Sequence, residues 1–272
     1  SRMIDPMTDA KIEAYAVELL EAYDAGRQVA PISYRDQSFN SEAAYRVAHK
    51  ITSLREARGE RQVGRKIGFT NRTIWPIYNV TAPMWGPVWD TTLHEIGDGL
   101  HALPNVTEPR LEPEIAFGLK SAPEAGMSES ELAACVDWVS QGFEVVFSPF
   151  PGWRFTDADC AAAFGLHGGL YLGPRLPLTQ SIIEQLPCFR MVLEGLDGQR
   201  LTGCGADVLD GPLQALGCLL EILAGDDSAP HLAAGEIVTT GTLTDATPIL
   251  AGDRWTSRLD GIDLPGMTIA FR

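Results

Sequence analysis

The chain is short of positive charge, of paired cysteine and of long apolar runs. Lys and Arg number 21 against 36 Asp and Glu, a formal net charge of −15 over 272 residues. That sign argues against nucleic acid and an anionic membrane face as partners, because both call for a basic footprint. A small anionic substrate is still open, since a local Lys, Arg or metal overrides the global sign. The five cysteines, at 135, 160, 188, 204 and 218, form no CxxC pair. An odd, unpaired set reads as reduced thiols in a cytoplasmic protein, not as a disulfide framework or a zinc site. No apolar run reaches the roughly 18 residues of a membrane span. The opening SRMIDPMTDA lacks the apolar core of a signal peptide. Internal repeats, low-complexity tracts and long linkers are also missing.

Apolar material is ample at 45% hydrophobic residues, enough for one large domain or two small ones. Helical spacing of Ile12, Tyr15, Ala16, Leu19, Leu20 and Tyr23 predicts a helix over residues 9–25. A second is expected from Ser41, as N-cap, to about Arg58. VGRKIGFT reads as a short strand, and residues 71–110 as loops with short strands. After the strand EPEIAFGL, MSESELAACVDWVSQG predicts a helix opened by a Ser128/Glu131 capping box. The strands FEVVF and FGLHGGLYLG follow, then a hairpin turning at Asp197-Gly198. DGPLQALGCLLEILAG reads as a helix with Asp210 as cap and Pro212 in its first turn. The C-terminal part is strand and turn. The layout is a helical N-terminal region over residues 1–62 and a β-rich body over 63–272.

The stretch RLEPEIAFGL places Glu112 and Glu114 one residue apart among strand formers. Residues i and i+2 of a strand share a face, so the two carboxylates project together while Pro113, Ile115, Phe117 and Leu119 suit a core. Two carboxylates this close repel unless one is protonated or a cation sits between them. Glu144, in QGFEVVFSPF, has the same apolar setting. Three carboxylates from two apolar strands suit a hard cation, Mg²⁺, Mn²⁺ or Ca²⁺. The alternative is the wet face of an edge strand. Lys66, in GRKIGFT, is either a buried cation paired with a carboxylate or substrate anion, or a surface lysine.

GRKIGFT, RLEPEIAFGL, the capped helix leading to Glu144, and GPLQALGCLLEILA followed by LAAGEIVTTGTL and AGDRW together resemble the 2-keto-4-pentenoate hydratase branch of the fumarylacetoacetate hydrolase superfamily. The resemblance spans about residues 10–272. It implies an α+β fold, a mixed β-roll with an N-terminal helical region. It implies Mg²⁺ or Mn²⁺ on Glu112, Glu114 and Glu144, and a 2-oxo acid or its enol as the small-molecule partner. Lys66 would assist proton transfer, and Thr240 and Gly241 would line the site. The implied activity is that of a metal-dependent lyase, by hydration or by carbon–carbon cleavage including decarboxylation, in a homo-oligomer. A hydrolase of acylpyruvate or fumarylacetoacetate type and a non-catalytic subunit are the other readings.

The chain departs from the branch at two places. VVFSPF stands where IVDSR is usual after the third glutamate, and DADC where DNAS is usual. These changes remove polar groups. The aromatic loop, with Phe147, Phe150 and Trp153, either packs in the core or forms an apolar substrate wall, and as a wall it favours a bulkier or uncharged tail. His167, in GLHGG, is either a general acid–base group with Asp159 as helper, or a hydrogen-bonded core or surface histidine.

Overall fold

A computed structural model of the protein describes residues 6–78 and 80–272. The first residues of the opening segment, read above for signal-peptide character, lie outside them. Helix α1 (Asp9–Ala25) opens on Thr8, whose hydroxyl accepts the Lys11 N–H, and stops at Gly26 in the left-handed region, φ 64°. Helix α2 (Ser41–Ala57) begins one residue after its cap, which is Asn40 and not Ser41; the Asn40 side chain accepts the Ala43 N–H. Strand β1 (Gln62–Gly68), the short helix α3 (Trp75–Tyr78) and strands β2 (Met84–Trp89), β3 (Leu93–Glu95) and β4 (Leu100–His101) lead to β5 (Arg110–Leu119).

The next helix is much shorter than its pattern suggests. Its capping box is present, but α4 covers only Glu129–Ala134, and β6 (Val136–Val146) starts almost at once. The segment VDWVSQG is strand because it pairs with β5 over the whole length of the ladder, and that pairing outweighs the local helix signal. Helix α5 (Asp157–Ala162), β7 (His167–Leu172), β8 (Leu176–Pro177) and α6 (Gln180–Gln185) follow. The hairpin of β9 (Arg190–Gly195) and β10 (Arg200–Cys204) turns through Gly198 at φ 75°, as the Asp-Gly pair predicts. Helix α7 (Pro212–Ala224) has Pro212 in its first turn, but its N-cap is Gly211; the Asp210 carboxylate instead pairs with Arg72 at 2.9 Å. The chain ends in β11 (Ile237–Thr242), β12 (Thr247–Pro248), β13 (Arg254–Asp260) and β14 (Thr268–Phe271).

Two sheets organise these strands. The larger runs β2-β1-β11-β5-β6-β7-β3, with β12 added to β5 and β8 to β6; the smaller runs β10-β9-β13-β14-β4. Parallel pairs (β1 with β11, β3 with β7) sit beside antiparallel ones, so the large sheet is mixed. Leu111, Phe143, Val145 and Tyr171 of the large sheet meet Leu193, Trp255 and Ile269 of the small one in a common core. Leu213, Leu216 and Leu220 of α7 pack on Ile115, Phe117 and Val139. Helices α1 and α2 join α5 and the Phe147–Phe150 segment in a further apolar cluster. The fold is the expected α+β class, with a curled mixed sheet and helices laid on it. Among the described residues no helix is long and apolar enough to cross a membrane.

Candidate active site

The antiparallel register of β5 and β6 sets Glu112 directly opposite Glu144, and Glu114 opposite Gly142, which has no side chain to intrude. Directly opposed residues on one face stand about 5 Å apart at Cβ, where like charges destabilise a sheet. Here one oxygen from each of Glu112, Glu114 and Glu144 lies within 4.8 Å of the others. Glu114 and Glu144 are fully buried, while Glu112 keeps a partial exposure through a cavity. The alternative of a wet edge-strand face is thus removed.

Each buried acid is held on one side and open on the other. The Thr239 hydroxyl and the Gly241 N–H donate to Glu114 Oε1, at 2.6 and 3.0 Å. His167 Nδ1 lies 2.7 Å from Glu144 Oε2. Among the described residues, Glu114 Oε2 and Glu144 Oε1 have no hydrogen-bond partner. Two orphaned buried carboxylate oxygens beside a third acid are costly unless a cation completes them. This donor set, all hard oxygen, fits a divalent ion such as Mg²⁺ or Mn²⁺.

Burial, then the neighbouring Glu114, pushes the Glu112 carboxyl up to about 8. Burial, then Glu144, pushes Glu114 well above the usual carboxylate range. Burial also raises Glu144, to about 7, with Lys66 working against the shift. Without a cation the three carboxylates therefore resist full ionisation together.

Lys66 projects from β1 into this group. It is buried, its Nζ donates to the Gly165 carbonyl at 2.8 Å, and it lies 3.4 Å from Glu144 Oε2. Burial disfavours the ammonium, but Glu144, Glu112 and Glu114 outweigh that and hold its pKa above the ordinary value. The carbonyl it meets is presented by a strained turn: Phe164, Gly165 and Leu166 all have positive φ, at 46°, 68° and 64°. Gly241 is required by its own backbone, at φ 114°, and a Cβ there would meet Thr70 Oγ1 at 2.1 Å.

A cavity of about 350 Å³ opens beside Lys66 and Glu112. Its walls include Met84, Cys160, Leu166, Trp153, Arg110 and Thr242. Several expected positions fall elsewhere. Phe147 is buried against Tyr23 and Phe164, outside the cavity, because it follows Val146, which lines the cavity, and so turns to the other side of the chain. Thr240 donates its hydroxyl to the Ile115 carbonyl; the neighbouring Thr239 makes the contact with Glu114. Asp159 is used up as the capping-box acid of α5, accepting from Thr156 and from the Ser33 N–H and hydroxyl, and it touches neither His167 nor the cavity.

His167 is fully buried behind Glu144 and does not line the cavity, so the core-histidine alternative describes its placement. Burial, with Lys66 and Arg55 adding to it, holds its pKa well below the usual value. The neutral ring donates Nδ1–H to Glu144 and accepts at Nε2 from Thr92, 2.8 Å away. Thr92, Thr239 and Arg110 escaped the sequence reading. Arg110 alone carried a usable signal, since it stands two residues before Glu112 on the same strand face.

No family model matches the chain. It is 30% identical to the 2-hydroxyhexa-2,4-dienoate hydratase of Comamonas testosteroni over 253 residues, 92% of this chain and 94% of that one. It is 29% identical to the 2-hydroxypent-2,4-dienoate hydratase of Pseudomonas putida over 208 residues, 76% of this chain and 92% of that one. The 4-oxalocrotonate decarboxylase of Pseudomonas putida G7, solved with magnesium and adipate, superposes with a TM-score of 0.89 at 25% identity, covering 100% of both chains. With a relative at 30% identity over nearly its whole length, the chain belongs to the 2-keto-4-pentenoate hydratase branch of the fumarylacetoacetate hydrolase superfamily.

Proposed function

We propose that the protein is a divalent-metal-dependent lyase acting on a small 2-oxo acid or its enol, by hydration or by decarboxylation. The observation that carries this reading is the convergence of Glu112, Glu114 and Glu144 with two oxygens left unpartnered. Those three residues would hold the ion. When bound, the ion supplies Lewis-acid stabilisation to negative charge developing on a 2-oxo oxygen.

The chain's own groups do the rest. Among the described residues Lys66 is the one ammonium lining the cavity; its Nζ would hold or move a proton for the substrate and balance the acids. His167 and Thr239 fix the orientation of Glu144 and Glu114. Met84, Leu166 and Val146 give the cavity an apolar wall that keeps bulk water from the reacting atoms. The relatives named for hydration and the neighbour named for decarboxylation support both outcomes equally.

The test is a screen of 2-oxo acids and 2-hydroxydienoates with Mg²⁺ and with EDTA, read by ultraviolet absorbance and product mass. Added water and lost CO₂ give distinct masses; the absence of any metal-dependent turnover overturns the reading. A cytoplasmic homo-oligomer goes with it. All five cysteines are free, and Leu100, Leu196 and Leu250 leave apolar surface for contact between copies. Light scattering on a sizing column tests the assembly.

A further inference from the structure

The cavity is lined by a second cationic residue besides Lys66, and nothing in the three-acid site explains it. Arg110 opens β5, and strand alternation puts it on the face of Glu112 and Glu114, about 7 Å along the strand from Glu112. It lines the cavity together with Glu112 and Trp153. Its guanidinium lies over the Trp153 ring, 4.1 Å from the centroid. The ring is itself tied down, since Trp153 Nε1 donates to the Glu108 carbonyl at 2.9 Å. A stacked guanidinium keeps its edge free for a planar, two-pronged partner.

Arg110 is not neutralised by the acids around it. Among the described residues it makes no ion pair with a carboxylate. Glu108, two residues earlier, is occupied: its Oε2 accepts from Gln28 and from the Gly152 N–H, at 2.5 and 2.8 Å. Glu112 belongs to the acid trio. Asp245 also borders the cavity but is exposed at its rim. A half-buried, pre-oriented guanidinium facing a cavity is a receptor for a carboxylate.

We propose that Arg110, stacked on Trp153, receives the distal carboxylate of the substrate, so that the site selects a 2-oxo diacid over a 2-oxo acid with a neutral tail. This rests on the metal-dependent 2-oxo acid reading above. It reverses the preference expected from the aromatic loop, because Phe147 and Phe150 turn into the core and leave only Trp153 of that set on the cavity.

The test is calorimetric binding of unreactive ligands in the presence of Mg²⁺. The ligands are a saturated six-carbon 2-oxo diacid, its ester at the distal carboxylate, and the six-carbon 2-oxo monoacid. The wild-type protein is expected to favour the diacid over the other two by about tenfold or more, the size of one charge-assisted contact. In Arg110→Met that ratio falls toward one, and in Arg110→Lys, which keeps the charge and loses the fork, it falls part of the way. A wild-type ratio near one overturns the proposal even if Arg110→Met fails to fold, since the ester comparison needs no variant. A ratio that survives in Arg110→Met also overturns it. If none of the ligands binds the wild-type protein, the reading of the site as a 2-oxo acid site fails first, and this proposal with it.

Discussion

His167 Nδ1 sits 2.7 Å from Glu144 Oε2, and its other nitrogen 2.8 Å from Thr92 Oγ1. The ring is a strut between a core threonine and a site carboxylate. Replacing it with leucine removes the donor and leaves Glu144 free to swing. Mg²⁺ affinity in His167→Leu is expected to fall about 10- to 100-fold, the usual cost of losing a group that orients a metal ligand. Thr92→Val should show a smaller loss in the same direction. Calorimetric titration with Mg²⁺ checks both; unchanged affinity in His167→Leu means that the strut has no role.

Lys66 is expected to matter far more to turnover than to the fold. Lys66→Met keeps the stem that packs in the cavity wall and deletes the ammonium. Turnover should drop about 10²- to 10⁴-fold, the range for a lost proton-transfer group. The variant should also melt lower than wild type in EDTA, because three mutually repelling acids lose their compensating cation. A variant turning over at the wild-type rate would place the proton transfer elsewhere.

Gly241 gives a backbone prediction. In Gly241→Ala a Cβ would meet Thr70 Oγ1 at 2.1 Å at a φ of 114°. Displacing this residue also moves the N–H that donates to Glu114. A loss of about 2 kcal/mol or more in stability is expected, together with weaker metal binding. Urea denaturation measures the first and Mg²⁺ titration the second.

Away from the site, Glu60 ties down Arg55, which is 1% exposed and lies over the rings of Trp89 and Tyr23. Burial alone would raise the Glu60 carboxyl, but the bonds from Arg55, Thr91 and Arg58 outweigh it and bring its pKa down to about 2. A depressed carboxylate stabilises the fold above its unfolded value of 4.5, and this contribution is lost as pH falls from there through about 2. With solvent screening, the contribution is on the order of 1–2 kcal/mol. Glu60→Gln should lose a similar amount at neutral pH. Its stability should then change less than that of wild type between about pH 5 and pH 2. Parallel pH profiles for the two proteins would contradict this.

How legible these features were in the sequence follows from the range of each signal. The face shared by Glu112 and Glu114 was readable because strand alternation is local and strict. That Glu144 stands opposite Glu112 depends on the register of two strands joined through α4, which no local pattern contains; the family resemblance implies a shared ion and not this pairing. Strand alternation alone turns Phe147 away from Glu144, and that is where it lies; its place in a substrate wall rests on its standing where the branch has a polar stretch, and such a replacement carries no direction. VDWVSQG passed for helix because a genuine capping box precedes it. Asp159 closes another capping box, with Thr156 three residues before it, and that pattern was present to be read. Thr92 reaches His167 across 75 residues of chain, a contact that only the fold creates.

Glu112, Glu114 and Glu144 are expected to form one divalent-cation site. Calorimetric titration of wild type and Glu114→Gln with Mg²⁺ tests it most directly, with melting in EDTA run alongside. The glutamine can still accept from Thr239 and Gly241 at its carbonyl oxygen, so the fold is retained. One ion per wild-type chain is expected, with binding weakened at least about tenfold in the variant and a higher melting temperature for the variant in EDTA, where the repulsion among the acids is relieved. Equal Mg²⁺ affinity in the two proteins would contradict it.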